Sequence, residues 1–362
     1  MRVCILGAGS IAFGMAAALV EGGHGPVLWS PSGRSTADLA RGEPLRATGA
    51  VEFSAPVDVA STGAEAVAGA DAVVVALPGY GHKAVFEAAA PHLSAGQPVI
   101  VSSHASFGAL YLSKLLAARG VALPIVAWGT TVVTGRKQSG THVHVATIRQ
   151  KIDLATVPEG RIEEGHALCT ALFGDRFVRR DGFLAIQLSN LNPQNHLGIA
   201  LCNVTRMERG EDWGQGENVT PAVGRFIEAL DAERLAIAEA FGLSVRTVRE
   251  HFSLSFHVPI GTVAEMNQAM HAAGRGGKGP TTLQTRYVLE DVPFGLVPTQ
   301  ALGRLVDRPA LLHEAGTRIF SALYGRDLAL DNDLLPEIGL ESLSIDELRD
   351  LSRDGFGRPS SA

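Results

Sequence analysis

Val3-Cys4-Ile5-Leu6-Gly7-Ala8-Gly9-Ser10-Ile11-Ala12 opens the chain and decides how its first half folds. Four apolar residues fit a buried strand, a glycine-rich turn follows, and an apolar helical pattern continues over residues 11–20. Gly7 permits the tight turn. Gly9 has no Cβ and lets a pyrophosphate approach the backbone, while the free amides of Ser10 and Ile11 at the helix N-terminus face its negative charge. Ala12 allows close packing of helix on strand, with Gly14 close behind. Strand before and helix after give this turn the context that a dinucleotide fingerprint needs.

Outward from this point, short apolar runs at 27–29, 72–77 and 99–101 alternate with helical patterns near Ala37 and over 83–90 and 110–118. That alternation predicts βαβ units and a mostly parallel sheet. Residues 124–157 change character. β-branched runs at 130–134 and 142–148, joined by a turn-rich 135–140, predict antiparallel strands that extend the sheet at one edge. A helix over 162–172 and a strand near Phe177 close a Rossmann-type α/β domain spanning 1–180.

From 181 to 362 the apolar period is helical throughout, with helices expected over 196–208, 223–241, 245–251, 263–273, 300–305, 310–323 and 346–352. The second domain is read as all-α and large enough to support a homodimer. Charge- and glycine-rich loops interrupt it at 211–218 and 275–280, the first read as a solvated loop or a lid. The tail from 355 to 362 is expected to fray.

Composition narrows the partners. The 362 residues are too many for one ordinary core, and 46% apolar with 19% charged residues is a globular balance. A net charge of -6 argues against nucleic acid and anionic membranes, leaving small molecules. Cys4, Cys169 and Cys202 show no metal or CxxC spacing and are expected as free thiols. With no signal peptide or apolar span recognisable, the cytoplasm is the expected location.

An NAD-preferring site usually ends its second strand in Asp or Glu. Here Val27-Leu28-Trp29 runs into Ser30-Pro31-Ser32-Gly33-Arg34-Ser35, and Ser30, Ser32 and Arg34 suit a 2′-phosphate, so NADP is expected over NAD. Leu77 and Pro78 end another strand where they would line the cofactor crevice, or simply make its turn.

Asn190-Leu191-Asn192-Pro193-Gln194-Asn195-His196 opens the second domain, with Asn192 and Pro193 suited to cap and start a helix. On a continuous helix Asn192, His196 and Asn203 fall within about 40° of one another. Such a polar stripe fits substrate contacts, beside the simpler capping and core roles of the asparagines. Downstream, Arg286-Tyr287-Val288-Leu289-Glu290-Asp291-Val292-Pro293-Phe294-Gly295 sets Asp291 before a proline-glycine turn, where it could orient an imidazole.

NPQNH, the long FIEALDAERLAIAEAFG helix and RYVLEDVPFGLVP, together with the fingerprint, resemble the octopine/nopaline (opine) dehydrogenases over nearly the whole chain. The resemblance implies a catalytic His–Asp pair at His196 and Asp291, and at Arg286 an arginine that contacts the cofactor pyrophosphate. It also implies a reaction: NAD(P)H reduces the imine formed between a 2-keto acid and the amino group of an amino acid or amine. Leu197 stands where many relatives have proline, so a straighter helix is expected.

Two alternatives compete. A 2-keto acid reductase of the ketopantoate or β-hydroxyacid type would use a lysine on a second-domain helix, and no lysine occurs between Lys151 and Lys278. A non-catalytic NADP-binding sensor has no need of a placed acid. His104 follows a strand and is a candidate substrate contact by the switch-point rule. His142 and His144 share a strand face without a third ligand and are read as exposed or edge-strand residues, so no metal is expected. His251 and His257 are read as structural.

Overall fold

A computed structural model describes residues 1–275 and 277–357 and divides the chain into two compact units, Met1–Gln187 with the segment from Asp346 onward, and Leu188–Ile345. Among the described residues no helix is long and apolar enough to cross a membrane.

The first unit is built on twelve strands: β1 (Arg2–Leu6), β2 (Gly25–Trp29), β3 (Leu45–Gly49), β4 (Phe53–Ala55), β5 (Asp58–Val59), β6 (Ala72–Val75), β7 (Val99–Val101), β8 (Ile125–Trp128), β9 (Val133–Lys137), β10 (His142–Ile148), β11 (Ile152–Val157) and β12 (Phe177–Arg179). Eight of them form a sheet in the order β12-β11-β8-β7-β6-β1-β2-β5. All its pairings are parallel except β11 with β8. β6, β7, β8 and β11 are buried along their whole length, as continuous apolar runs require when both faces of a sheet are covered.

The antiparallel extension is therefore β11. The β-branched runs expected at that edge, now β9 and β10, pair antiparallel with each other as expected, but lie in a separate four-stranded sheet, β4-β3-β10-β9, in which β10 pairs with β3. The physical reason lies in the fingerprint helix, Ser10–Glu21. It is buried almost all round and needs a second cover. A Cβ on Gly14 would lie 3.1 Å from Val133 Cγ2 and 3.3 Å from Val145 Cγ2, so the glycine serves contact with this second sheet. His142 and His144 sit on β10, inside that sheet and not at its edge, His142 half-buried and His144 exposed as expected, both hydrogen-bonded to Thr48 Oγ1.

The C-terminal helix Ile345–Asp354, expected to end the helical domain, groups with the first unit. Phe356 N donates to Ser113 Oγ at 2.9 Å, and Gly355, at φ 75°, lies where a Cβ would meet Ser113 Oγ and Val157 Cγ1. Gly355 and Phe356 are thus packed and Gly357 is exposed, while 358–362 of the tail expected to fray lie outside the described residues.

The second unit is helical, its longest helix Pro221–Ala240. Arg234, 1% exposed, is paired on that helix with Asp231 Oδ1 at 2.6 Å and donates to the carbonyls of Leu188 and Arg246. Asp231 Oδ2 accepts from Val248 N, so one buried pair ties three chain segments. Thr247 with Glu250 and Thr262 with Glu265 form capping boxes that start Val248–Phe256 and Val263–Ala272.

Candidate active site

The cofactor residues come first. Gly7 has φ 145°, and a Cβ there would lie 2.4 Å from Ala76 O; its amide donates to Trp29 O. Gly9 has nothing within 4 Å of an added Cβ, leaving open backbone before a helix whose first amides, Ser10 and Ile11, have no carbonyl one turn back. Open backbone and unpaired amides fit a pyrophosphate. Ser30 Oγ, just beyond β2, is buried without a hydrogen-bond partner; Ser32 and Arg34 are exposed, and Arg34 makes no ion pair among the described residues. Leu77 and Pro78 lie half-buried beyond β6, with Leu77 O accepting from His82 Nε2. These residues fit a dinucleotide, and the loop after β2 carries no carboxylate.

His104 lies in the loop after β7, with its Nδ1 buried and without a hydrogen-bond partner. It is 2% exposed, packs edge-on against Phe183 at 4.6 Å, and its Nε2 accepts from Ala109 N. Burial pushes its pKa down to about 3 and that of His82 down to about 4, so both are neutral at working pH. The loop holding His104 carries left-handed Ser103, Ser106 and Phe107.

In the second unit the helix Asn192–Cys202 carries His196. Asn192 is not its cap: Leu191 is, and Asn190 Oδ1 accepts from the Asn192 amide while Asn192 itself is exposed. The helix ends at Asn203, whose φ of -128° breaks the expected stripe; its Nδ2 donates to Ile199 O, a structural use. Leu197, 1% exposed, packs on Gly316 where a Cβ would come within 2.6 Å of Leu197 Cδ2, and the helix is unbroken through it.

His196 and Asp291 meet. Nδ1 lies 2.7 Å from Asp291 Oδ2, and the two residues are 6% and 7% exposed. A carboxylate only accepts, so Nδ1 carries the proton and Nε2 is left for another partner. Nε2 makes no hydrogen bond among the described residues. Asp291 precedes a π-helical turn, Val292–Leu296, of the kind that often marks functional sites. Gly295 explains how this turn reaches the histidine helix, since a Cβ there would lie 2.2 Å from Pro193 Cγ. Asn332 Nδ2 donates to Pro293 O and steadies the turn. Arg286 begins the short helix Arg286–Leu289, with its side chain 59% exposed and 4.0 Å from Glu290.

Tyr287, one residue on, escaped the sequence reading. Its ring stacks on the His196 imidazole, 3.6 Å between centroids and 9° from parallel, and its hydroxyl donates to Gln215 Oε1 at 2.5 Å. The loop at 211–218 is therefore fastened, with Trp213 buried against Gly279, and is not a free solvated loop. Of the 275–280 loop, 276 lies outside the described residues. Asn195, beside the histidine, has a buried Oδ1 without a partner. Among the described residues no group of three or more His, Cys, Asp or Glu could hold a metal.

A dinucleotide-binding α/β unit joined to a helical unit with a buried imidazole–carboxylate pair defines a two-domain nicotinamide-dependent oxidoreductase. Residues 179–324 match the family model for the alpha-helical domain of NAD/NADP octopine/nopaline dehydrogenases, and residues 2–104 match that of coenzyme F420-dependent NADP oxidoreductases. An opine dehydrogenase of Arthrobacter sp. (strain 1C) is 34% identical over 78% of this chain and 79% of its own. The chain belongs to the opine dehydrogenase family, whose reaction is the NAD(P)H-dependent reductive condensation of a 2-keto acid with an amine. Octopine dehydrogenase with NADH and L-arginine has the same fold, with a TM-score of 0.80, 15% identity, and 100% of this chain and 99% of that one covered. Yersinopine dehydrogenase with NADP+ gives 0.72 at 17% identity, over 96% and 98%.

Proposed function

We propose that this enzyme condenses a 2-keto acid with the amino group of an amino acid or another amine and reduces the resulting imine, so that it acts on a CH–NH bond. The buried His196–Asp291 pair, with Nε2 unpaired, is the observation that carries this reading. Gly7, Gly9, Ser10 and Ile11 would hold the pyrophosphate of the reduced dinucleotide, whose nicotinamide would supply hydride to the imine carbon. Asp291 fixes the ring and its tautomer. In its doubly protonated form His196 gives the Nε2 proton to the keto oxygen as the amine nitrogen adds to the keto carbon, takes a proton back from that nitrogen, and gives it to the hydroxyl that leaves the carbinolamine as water. Tyr287 holds the imidazole from one face. Asn195 Oδ1 is the acceptor we assign to the incoming amine, in place of Asn192 and Asn203. Arg286, exposed at the head of its helix, is assigned to the cofactor pyrophosphate.

NADP is the preferred cofactor on this reading, because the loop after β2 offers Arg34 and serine hydroxyls and no carboxylate. The test follows NADPH and NADH oxidation with pyruvate or a longer 2-keto acid, with and without a panel of amino acids and amines. Amine-dependent oxidation that falls about 10²- to 10⁴-fold in His196→Ala supports the assignment. Oxidation by the keto acid alone, indifferent to every amine, would overturn it in favour of hydroxy-acid formation.

A further inference from the structure

We propose that Lys137, on the second sheet, is a further cation for the 2′-phosphate of NADP, acting beside Arg34 and Ser30; the proposal rests on the NADP reading above. β9 ends at the fingerprint, where Lys137 N donates to Ser10 Oγ at 2.9 Å. From there the side chain crosses the face of Phe13, with Nζ 4.2 Å from the ring centroid, and reaches the loop after β2, where Nζ lies 3.4 Å from Ser35 O. The ammonium thus stands against the same loop that carries Arg34 and the orphaned hydroxyl of Ser30.

Neither cation is neutralised. Among the described residues Lys137 has no carboxylate within ion-pair distance, and Asp38, the acid that acts on it from further away, is itself hydrogen-bonded to Arg41. An ammonium that rests on one carbonyl and one ring keeps donors for a ligand, and a doubly charged phosphate with three acceptor oxygens is the ligand chemistry that would engage it together with a guanidinium and a hydroxyl. The lysine is anchored by its backbone, so its side chain can be exchanged without releasing β9 from Ser10.

The experiment measures dissociation constants for NADP+ and NAD+ by calorimetry, without substrate, on the full-length enzyme and on Lys137→Met, Lys137→Arg and Arg34→Ala, with ligand-free melting temperatures to confirm folding. Lys137→Met is expected to weaken NADP+ about tenfold and to leave NAD+ within about twofold, and Lys137→Arg to recover most of the loss. Equal weakening of both nucleotides would place the lysine at the pyrophosphate and overturn the proposal. No change in either would overturn it too, leaving the Arg34 reading intact if Arg34→Ala still weakens NADP+. A wild-type enzyme without preference for NADP+ would remove the underlying reading, and this proposal with it.

Discussion

At the scale of single residues, the imidazole of His196 is held from two directions, by Asp291 at Nδ1 and by the Tyr287 ring against its face. The ring also offers a protonated imidazole its negative π-face. Tyr287→Phe keeps the face and loses the hydroxyl's bond to Gln215, so kcat should stay within about threefold of wild type. Tyr287→Leu removes the face, and a loss of about 1–2 kcal/mol predicts a kcat lower by about tenfold. Steady-state kinetics on both variants decide the matter; equal losses in Phe and Leu would mean that the hydroxyl, not the ring, is what counts.

His82 and His104 make a different prediction. Their folded values, about 4 and about 3, lie below the ordinary 6.5, so between these limits the unfolded chain binds more protons than the folded one. Their contribution to stability is full above about pH 6.5 and is lost progressively as pH falls towards the folded values. Melting curves between pH 7.5 and 5 should show a falling midpoint, flatter in His104→Gln. An unchanged slope in that variant would contradict the burial argument.

Elements show where the sequence was legible and where it was not. The fingerprint was readable because its signal is local: Gly7, Gly9 and the helix start lie within a few residues. The partnership of His196 with Asp291 came from motif resemblance, and the structure supplies the mechanism of approach, Gly295 on Pro193. The second sheet was not legible. β3 and β4 are short, and β3 pairs with β10 nearly a hundred residues away, so no local pattern names the partner. Lys137 and Tyr287 were missed for the same reason, since each matters through a tertiary contact that no spacing announces. Asn203 was misplaced because a helical wheel assumes an unbroken helix, and this one ends there. Gly295→Ala tests the element-scale argument. The added methyl must displace Pro193 or the π turn, at a cost of about 1–3 kcal/mol, and should lower kcat by shifting Asp291. Gly316→Ala, crowding the Leu197 side chain, should cost stability with kcat retained.

On the scale of the whole molecule, the chain crosses from the first unit to the second near residue 188 and returns at Asp346. Leu348 is fully buried, and the segment after the last helix bonds to Ser113, so the end of the chain completes the dinucleotide-binding unit. Loss of that leucine's burial alone is worth about 1.5–3 kcal/mol. Truncation before Asp346 should therefore destabilise the first unit selectively, and the tryptophans can report it: Trp29 and Trp128 lie in the first unit and Trp213 in the second. In a Trp213→Phe background the fluorescence midpoint of denaturant unfolding should fall on truncation by more than it does in a Trp29→Phe/Trp128→Phe background. NADP+ should recover part of the first loss, since a ligand that binds only the folded unit stabilises it by mass action. A fall confined to the Trp213 signal would instead assign the last helix to the helical unit.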